Sequence, residues 1–173
     1  VVQEVRDLDT WMDFYRMHFD HSRHRNIAPK SQLFFKEIQS HWLPKEMALL
    51  MGAYHHDTLI AGMLFLKFRG VMNYFIGAAD PLCMHLCPND LLMWESINWG
   101  HTHGVQVLDF GDTQPYADSH VYGIYRFKEK WGGQLIERNQ YINGKLYALG
   151  RNLVMKNHIM HMVYEKCHEC RLI

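Results

Sequence analysis

A stretch between positions 108 and 132 gathers the side chains best suited to chemistry, namely Asp109, Tyr122, Tyr125 and Lys128. Lys128 borders an apolar seam, where a lysine can aim its charge at a developing oxyanion or hold a ligand phosphate. Asp109 ends an apolar run, and a carboxylate there can act as a base or orient one. Each has a structural alternative: a lysine stem that covers the seam, an aspartate that caps the next loop, and tyrosines that simply pack.

Apolar spacing in the same stretch predicts the element that carries Lys128. Ile124, Phe127 and Trp131 stand at positions i, i+3 and i+7 of a helix expected at about 121–131, so they predict its buried stripe. Gly111 predicts a tight turn at the exit of the preceding strand. We therefore expect a strand, a turn and a helix to position the candidate groups.

The rest of the chain alternates between helical and strand periodicity. Short polar connections between the central strands predict an antiparallel meander, and the later strand–helix crossover predicts a mixed sheet. The fold class is therefore α/β (mixed α+β), with a mostly antiparallel sheet and helices on both faces, as one domain over 1–150 and a helical tail over 151–173. The predicted elements are a strand at 2–6, helices capped by Asp7 and Ser31, strands at 47–54, 59–68 and 71–78, a helix from the cap Asn89 to Gly104, a strand at 105–110, a helix at 121–131 and a hairpin of 135–142 with 145–149.

Several short motifs combine with this element order. They are the apolar run 91–97, Leu108-Asp109-Phe110-Gly111, Phe127-Lys128 with Trp131-Gly132, and the upstream pairs Phe34-Phe35 and Ala61-Gly62. Together they resemble the FemAB-like branch of the GNAT acyltransferase superfamily, which includes peptidoglycan-bridge aminoacyltransferases. The resemblance covers about residues 5–148 and is greatest to the second domain of the tandem proteins of that branch.

The resemblance implies an N-acyltransferase that moves an aminoacyl or acyl group onto an amine of a cell-wall or polysaccharide-linked precursor. Such a reaction needs a neutral amine, a stabilised oxyanion and a protonated leaving group. The resemblance implies a catalytic or phosphate-binding role for Lys128. From the residues alone, Asp109 is a candidate catalytic base, and Tyr125 is a candidate acid for the leaving group alongside Tyr116 and Tyr122. We expect Phe127, Gly111, Tyr122 and Trp131 to bind substrate. The alternatives are a non-catalytic GNAT-fold binding or scaffold domain and an acetyl-CoA-dependent small-molecule N-acetyltransferase.

The junction before the third helix bears on the acyl donor. Acetyl-CoA-dependent relatives place a glycine-rich pyrophosphate loop there, but residues 77–89 have no closely spaced glycines before the helix and include two prolines, which lack N–H donors. The residues thus disfavour acyl-CoA, and the resemblance implies aminoacyl-tRNA as the donor, with no permanently bound cofactor. Expected partners are an amine-bearing acceptor, charged tRNA, and a second GNAT-like domain or a second copy in a homodimer.

Composition sets further limits. Eighteen Lys and Arg balance eighteen Asp and Glu in 173 residues, which argues against a protein whose main work is to neutralise a phosphate backbone. No apolar run approaches the roughly 20 residues that span a bilayer, and no signal peptide is visible, so we expect a cytoplasmic location. His158, His161, Cys167 and Cys170 suggest a zinc site, but their pairs are too far apart on one helix, and we predict no metal.

Overall fold

The structure is a computed structural model that describes residues 1–113, 115–116 and 122–136, together with the backbone of 170–172. These residues belong to two units, Val1–Asp109 and Phe110–Ile173. The predicted boundary at residue 150 lies outside the described residues and stays a prediction.

A five-stranded sheet forms the centre of the first unit. Neighbours pair antiparallel from the first strand to the fourth, and the fifth pairs parallel with the fourth. His56, Asp57, Arg69 and Gly70 all have positive φ, as two-residue turns between antiparallel strands require. The predicted meander and parallel crossover are therefore confirmed. The strands are β1 (Val2–Glu4), β2 (Ala48–His55), β3 (Thr58–Phe68), β4 (Val71–Ala79) and β5 (Val107–Asp109).

Two capped helices precede the meander. Helix α1 (Leu8–His24) begins where the Asp7 carboxylate accepts a hydrogen bond from Thr10 N, and α2 (Gln32–Glu37) begins where Ser31 Oγ accepts one from Phe34 N. Both predicted caps are confirmed. A π-helical turn (Ile38–Trp42) and a 3₁₀ turn (Leu43–Lys45) then lead into β2.

The third helix starts differently from the prediction. A 3₁₀ helix (Pro81–Leu86) leads to Cys87, which has a left-handed φ of 50° and precedes α3 (Pro88–Thr102). The predicted cap Asn89 lies inside the helix, because Pro88 already has the φ that a first helical residue needs. Gly104, with φ 72°, follows the end of α3 as predicted.

Different helices cover the two faces of the sheet. Leu50 and Leu64 face each other in register and pack with Phe14 of α1. On the other face α3 contacts β2 and β3, and its Gly100 approaches Met72 of β4. Because strand side chains alternate between faces, one sheet supports both layers. The predicted mixed sheet with helices on both faces is confirmed.

Short elements make up the described part of the second unit. They are β6 (Asp112–Thr113), α4 (Tyr122–Glu129), β7 (Leu135–Ile136) and β8 (Cys170–Leu172), with the strands in the antiparallel order β6-β8-β7. Residues 170–172 are thus a strand, because they pair on both edges, and the helix predicted for the tail does not include them. The rest of the tail and most of the predicted hairpin lie outside the described residues.

Candidate functional site

Strand β4 loses one of its two neighbours halfway along. Its pairing with β5 ends at Asn73, level with Asp109, whereas its pairing with β3 continues to Ala79. Phe75 has no opposite residue on β3, so it is a bulge that bends the strand. In the described part of the chain, β4 from Tyr74 to Ala79 therefore has no strand partner on its β5 side. We call this edge the β4 cleft, and its backbone groups can bind an extended ligand.

The floor of the bulged segment is tightly packed. A Cβ atom added at Gly77 would lie 1.9 Å from the Tyr74 hydroxyl, so the tyrosine occupies the space that a side chain would need. Burial raises the pKa of Tyr74 to about 12, which keeps its hydroxyl protonated at neutral pH. The uncharged Tyr74 side chain thus packs against the bulged segment at Gly77.

Asp109 lies at the C-terminal end of β5, where β4 and β5 separate. The side chain is buried. Ligands of open α/β sheets bind at the carboxyl ends of parallel strands, so the position is the one that the sequence predicts for a site residue. Its role as a base stays a prediction.

The N-terminus of α3 offers few donors to a phosphate. Pro88 has no N–H, and the N–H groups of Asp90 and Leu91 both donate to the carbonyl of Cys87. A helix start binds pyrophosphate through such backbone N–H groups. The residues at this junction therefore do not fit the pyrophosphate of an acyl-CoA.

Lys128 is the buried side chain of α4. It is 5% exposed, and its Nζ donates a hydrogen bond of 2.7 Å to the carbonyl oxygen of Asp112 in β6. A lysine that covers a seam would keep its ammonium group in water, so that alternative is wrong. The bond fixes a positive charge inside the second unit, where a low dielectric strengthens its field.

Tyr125 is held by a neighbour one turn along the helix. Its hydroxyl donates to a Glu129 carboxylate oxygen at 2.5 Å, and Arg126 contacts the other carboxylate oxygen at 2.5 Å. This hydrogen bond to Glu129 raises the pKa of Tyr125, so the tyrosine keeps its proton at neutral pH. Tyr122 stacks on Tyr125 with ring centroids 5.7 Å apart.

The predicted buried stripe of α4 is wrong in detail. Phe127 and Trp131 are half-buried, and their rings meet edge to face at 6.3 Å with Lys130 Nζ 4.7 Å from the Phe127 centroid. Helix α4 ends at Glu129, so Trp131 lies in the turn beyond it and the helical count from Phe127 no longer applies. Lys128 takes the buried position instead.

The structure brings some of the predicted site residues together. Tyr122 joins Tyr125 and Phe127 joins Trp131, whereas Asp109 belongs to the first unit and its role beside Lys128 stays a prediction. Gly111 has φ 74°, which confirms the predicted turn and leaves its role in substrate binding a prediction.

Sequence reasoning missed three contributors to these contacts. The Tyr125–Glu129 spacing of four residues is a signal that could have identified Glu129 as a partner. The Asp112 carbonyl and the bulge at Phe75 are backbone features with no signal in the residue types.

Two searches of the described residues gave negative results. No group of three or more His, Cys, Asp or Glu side chains in that part of the chain is arranged to hold a metal ion. Among the described helices none is both long enough and apolar enough to cross a membrane. His158, His161 and Cys167 lie outside the described residues.

Comparison with known proteins connects this geometry to a family. Two curated relatives are lipid II:glycine glycyltransferases from Staphylococcus saprophyticus, 30% identical over 118 residues, and from Staphylococcus haemolyticus, 31% identical over 111 residues. The matches cover 64% and 60% of this chain but only 28% and 26% of the relatives, so the chain spans about a quarter of their length. They confirm the resemblance to the FemAB-like branch.

Solved structures show the same fold at low sequence identity. FemX superposes with a TM-score of 0.66 at 15% identity, over 76% of this chain and 50% of its own. The ribosomal-protein-S18-alanine N-acetyltransferase from Escherichia coli superposes with a TM-score of 0.58 at 14% identity, over 99% of this chain and 89% of its own. The family profile described as acetyltransferase (GNAT) domain matches residues 1–129. The chain therefore belongs to the GNAT acetyltransferase domain family.

Proposed function

We propose that this chain is an N-acyltransferase domain that moves an aminoacyl group onto an amine of a cell-wall precursor. The observation that carries the proposal is the 30% identity over 118 residues to a lipid II:glycine glycyltransferase. The name of that relative supplies both an amino acid to be transferred and an amine-bearing acceptor of peptidoglycan synthesis. The proposed location is the cytoplasm, and the proposed partners are charged tRNA and a second GNAT-like domain or a second copy of the chain.

The β4 cleft is the proposed place for the acyl donor. Its backbone N–H and C=O groups from Tyr74 to Ala79 have a strand partner on one side only in the described chain, so they can pair with an extended acyl group. Gly77 and the bulge at Phe75 give that edge its bent course. Such pairing would orient the carbonyl group of the acyl donor but would add no charge to the site.

In the proposed reaction the acceptor amine first becomes neutral by giving a proton to Asp109. The amine nitrogen then attacks the ester carbonyl of the donor, and the positive charge of Lys128 stabilises the resulting oxyanion. Collapse of this intermediate breaks the ester bond, and the leaving oxygen takes a proton from Tyr125, which remains protonated at neutral pH. The attacking nitrogen gives up its second proton as the amide forms, and that proton restores the Tyr125 hydroxyl. Gly111, Tyr122, Phe127 and Trp131 are proposed to shape the substrate site.

We infer that the donor is aminoacyl-tRNA rather than acyl-CoA. The start of α3 supports this inference, because Pro88 lacks an N–H and the next two donors after Asn89 are used by the Cys87 carbonyl. A pyrophosphate would find a single backbone donor there where a glycine-rich loop presents several.

A non-catalytic binding domain is the second candidate function. The observation that favours it is the hydrogen bond from Lys128 Nζ to Asp112 O, which ties α4 to β6. A lysine used in this way can be a structural clamp whose charge does no chemistry.

Substitution of Lys128 separates the two functions. With glycyl-tRNA or acetyl-CoA as donor and lipid II as acceptor, Lys128→Met should lower kcat about 100-fold or more, because a fixed charge near an oxyanion contributes on that order. The lost hydrogen bond should lower the free energy of unfolding by about 1–3 kcal/mol. Urea unfolding of each variant measures that loss separately from the rate.

Controls decide how the result is interpreted. Lys36→Met removes an exposed lysine of α2 and should leave both the rate and the stability unchanged. Lys128→Arg keeps the charge and should retain more activity than Lys128→Met at similar stability. Full activity of a folded Lys128→Met protein contradicts the catalytic role, and binding of glycyl-tRNA or lipid II without transfer by the unaltered chain favours the binding domain.

A further inference from the structure

A groove at the turn end of the sheet lies apart from the β4 cleft. It measures about 500 Å³, and its walls come from the end of β3, the Arg69-Gly70 turn, the 3₁₀ turn before β2 and the last turn of α3. The groove adjoins Val71 at the start of β4, whereas the β4 cleft extends to Ala79. The near end of that cleft, Tyr74, is three residue steps from Val71, or about 10 Å, and its far end, Ala79, is eight steps away, or about 26 Å. We call this feature the turn-end groove.

Positive charge dominates the ionisable lining of the turn-end groove. Four Lys or Arg residues line it against two Glu residues, although the whole chain has equal numbers of both signs. Arg6 is paired with Glu4 at 2.6 Å. In the described part of the chain, Lys45, Lys67 and Arg69 form no ion pair, and Glu46 is the one carboxylate of the groove lining outside the Arg6–Glu4 pair.

Lys67 is held in position by an aromatic stack. Its Nζ lies 4.4 Å from the centroid of the Trp99 ring, and the His103 ring stacks on Trp99 at 3.8 Å with 5° between the planes. His103 Nδ1 in turn lies 2.8 Å from the Trp99 carbonyl oxygen, which anchors the stack to the end of α3. A cation fixed in this way loses little freedom when an anion binds.

The surroundings of Lys67 leave its charge incompletely compensated. Burial lowers the pKa of Lys67, and the charges of Glu46 and Glu4 oppose that effect without forming an ion pair with it. A half-buried ammonium group of this kind gains from a bound anion more than a fully hydrated one does. Arg69 reaches the same groove from a turn whose left-handed φ of 48° sets its direction.

An apolar groove of about 340 Å³ continues from the turn-end groove and shares Lys67, Phe68 and Val71 with it. Trp42 and Leu66 complete its apolar wall. Phe68 is 63% exposed, so its ring is accessible to the apolar part of a ligand. The cationic and apolar parts together fall in the size range of small-ligand sites.

We propose that the turn-end groove binds a small organic phosphate, with Lys45, Lys67 and Arg69 around the phosphate and the organic part against Phe68 and Val71. Phosphate suits these cations because it can accept charge-assisted hydrogen bonds from several of them at once. The site is separate from the proposed acyl transfer and does not depend on it.

Calorimetric titration of the full chain with hexyl phosphate tests the site at low salt. Binding should saturate below about 10 mM, inorganic phosphate should compete, and hexanol should not bind. Lys67→Met with Arg69→Asn should weaken binding about tenfold or more, since methionine keeps the apolar stem and asparagine tolerates the left-handed turn. Lys36→Met, at an exposed position outside the groove, should leave the affinity unchanged.

A second variant tests the apolar part separately. Phe68→Ser should weaken hexyl phosphate more than inorganic phosphate, because the organic part contacts that side chain directly, whereas phosphate depends on it only through Arg69, whose Cζ lies 5.1 Å from the Phe68 centroid. The proposal is overturned by no saturation with hexyl phosphate, by equal affinity of the Lys67/Arg69 double variant, or by a short single-stranded RNA that binds more tightly than hexyl phosphate and loses affinity in that variant. Circular dichroism confirms that each variant is folded before titration.

Discussion

The first unit buries apolar side chains against both faces of its sheet, whereas the second unit buries a lysine. Trp11, Phe14 and Phe35 are completely inaccessible in the first unit, and they pack on strands whose register fixes every contact. In the described part of α4 the one buried side chain is Lys128, which is held by a backbone carbonyl. Apolar burial is non-directional, but a buried ammonium group requires a partner at a defined position.

The same contrast holds for hydroxyl and ring N–H groups. In the first unit the buried Ser96 hydroxyl donates to Leu92 O at 2.7 Å. Thr113 Oγ1 and Trp131 Nε1, both in the second unit, are buried and have no hydrogen-bond partner in the part of the chain that is described. Packing therefore explains the residues of the first unit well, while a functional use of those around α4 stays a prediction.

Among the substitutions that test this comparison, Gly62→Ala in β3 should change the free energy of unfolding most. An added Cβ would lie 2.6 Å from Phe14 Cδ2, and the Phe14 ring is fully buried and packed edge to face on Phe35, so it has no room to move. We expect the free energy of unfolding to fall by about 1–3 kcal/mol, as overpacked cores show. Urea unfolding followed by circular dichroism measures the loss.

Gly123→Ala is the matched control for this substitution in the second unit. A Cβ at Gly123 meets no atom of the described residues within 4 Å, and alanine favours the helix by about 0.5–1 kcal/mol over glycine. Hydrogen exchange of α4 amides should slow slightly. If both alanine variants lose equal stability, tight apolar packing does not distinguish the two units.

The second largest effect should be the loss of stability of the first unit at acidic pH. Burial lowers the pKa of His18 to about 4 from 6.5, with help from the charges of His21 and Lys30, and Lys30 N donates to His18 Nε2 at 3.2 Å. His18 therefore binds a proton near pH 6.5 in the unfolded chain but only near pH 4 in the folded chain. Stability should fall across that range, by about 1–2 kcal/mol for a half-buried group.

Thermal unfolding at several pH values measures this dependence. His18→Phe keeps an aromatic ring beside Phe35 and should flatten the fall between about pH 6.5 and 4. The remaining slope should come in part from His21, whose pKa burial also lowers. An unchanged slope in His18→Phe would show that the first unit does not bury a neutral histidine.

Local signals predicted the first unit well. Asp7 and Ser31 cap the helices that they were expected to cap, and short polar turns predicted the meander. The signal failed where backbone geometry changed without a change in composition. A π-helical turn at Ile38–Trp42 shifts the helical period, so Ile38 is buried while His41 and Trp42 are exposed.

The candidate site was predictable in its residue types and not in its contacts. Spacing identified Lys128, but it placed the ammonium group beside the seam and could not show the bond to Asp112 O. A carbonyl acceptor carries no sequence signal, because every residue has one. The end of the pairing between β4 and β5 has no sequence signal either, because it depends on where the pairing stops at Asp109 and on the bulge at Phe75.

The smallest effect should come from Thr113→Val in β6, and it tests the comparison most directly. Valine has nearly the shape of threonine, so the change removes a buried hydroxyl that has no partner in the described chain and should raise stability by up to about 1 kcal/mol. Ser96→Ala is the counterpart in the first unit, where the buried hydroxyl donates to Leu92 O at 2.7 Å, and it should lower stability. Urea unfolding of both variants measures whether the free energy of unfolding rises or falls in each. A loss above about 1 kcal/mol in Thr113→Val would mean that its hydroxyl is bonded after all. In that case the buried hydroxyl of the second unit is hydrogen-bonded, as the buried Ser96 hydroxyl of the first unit is.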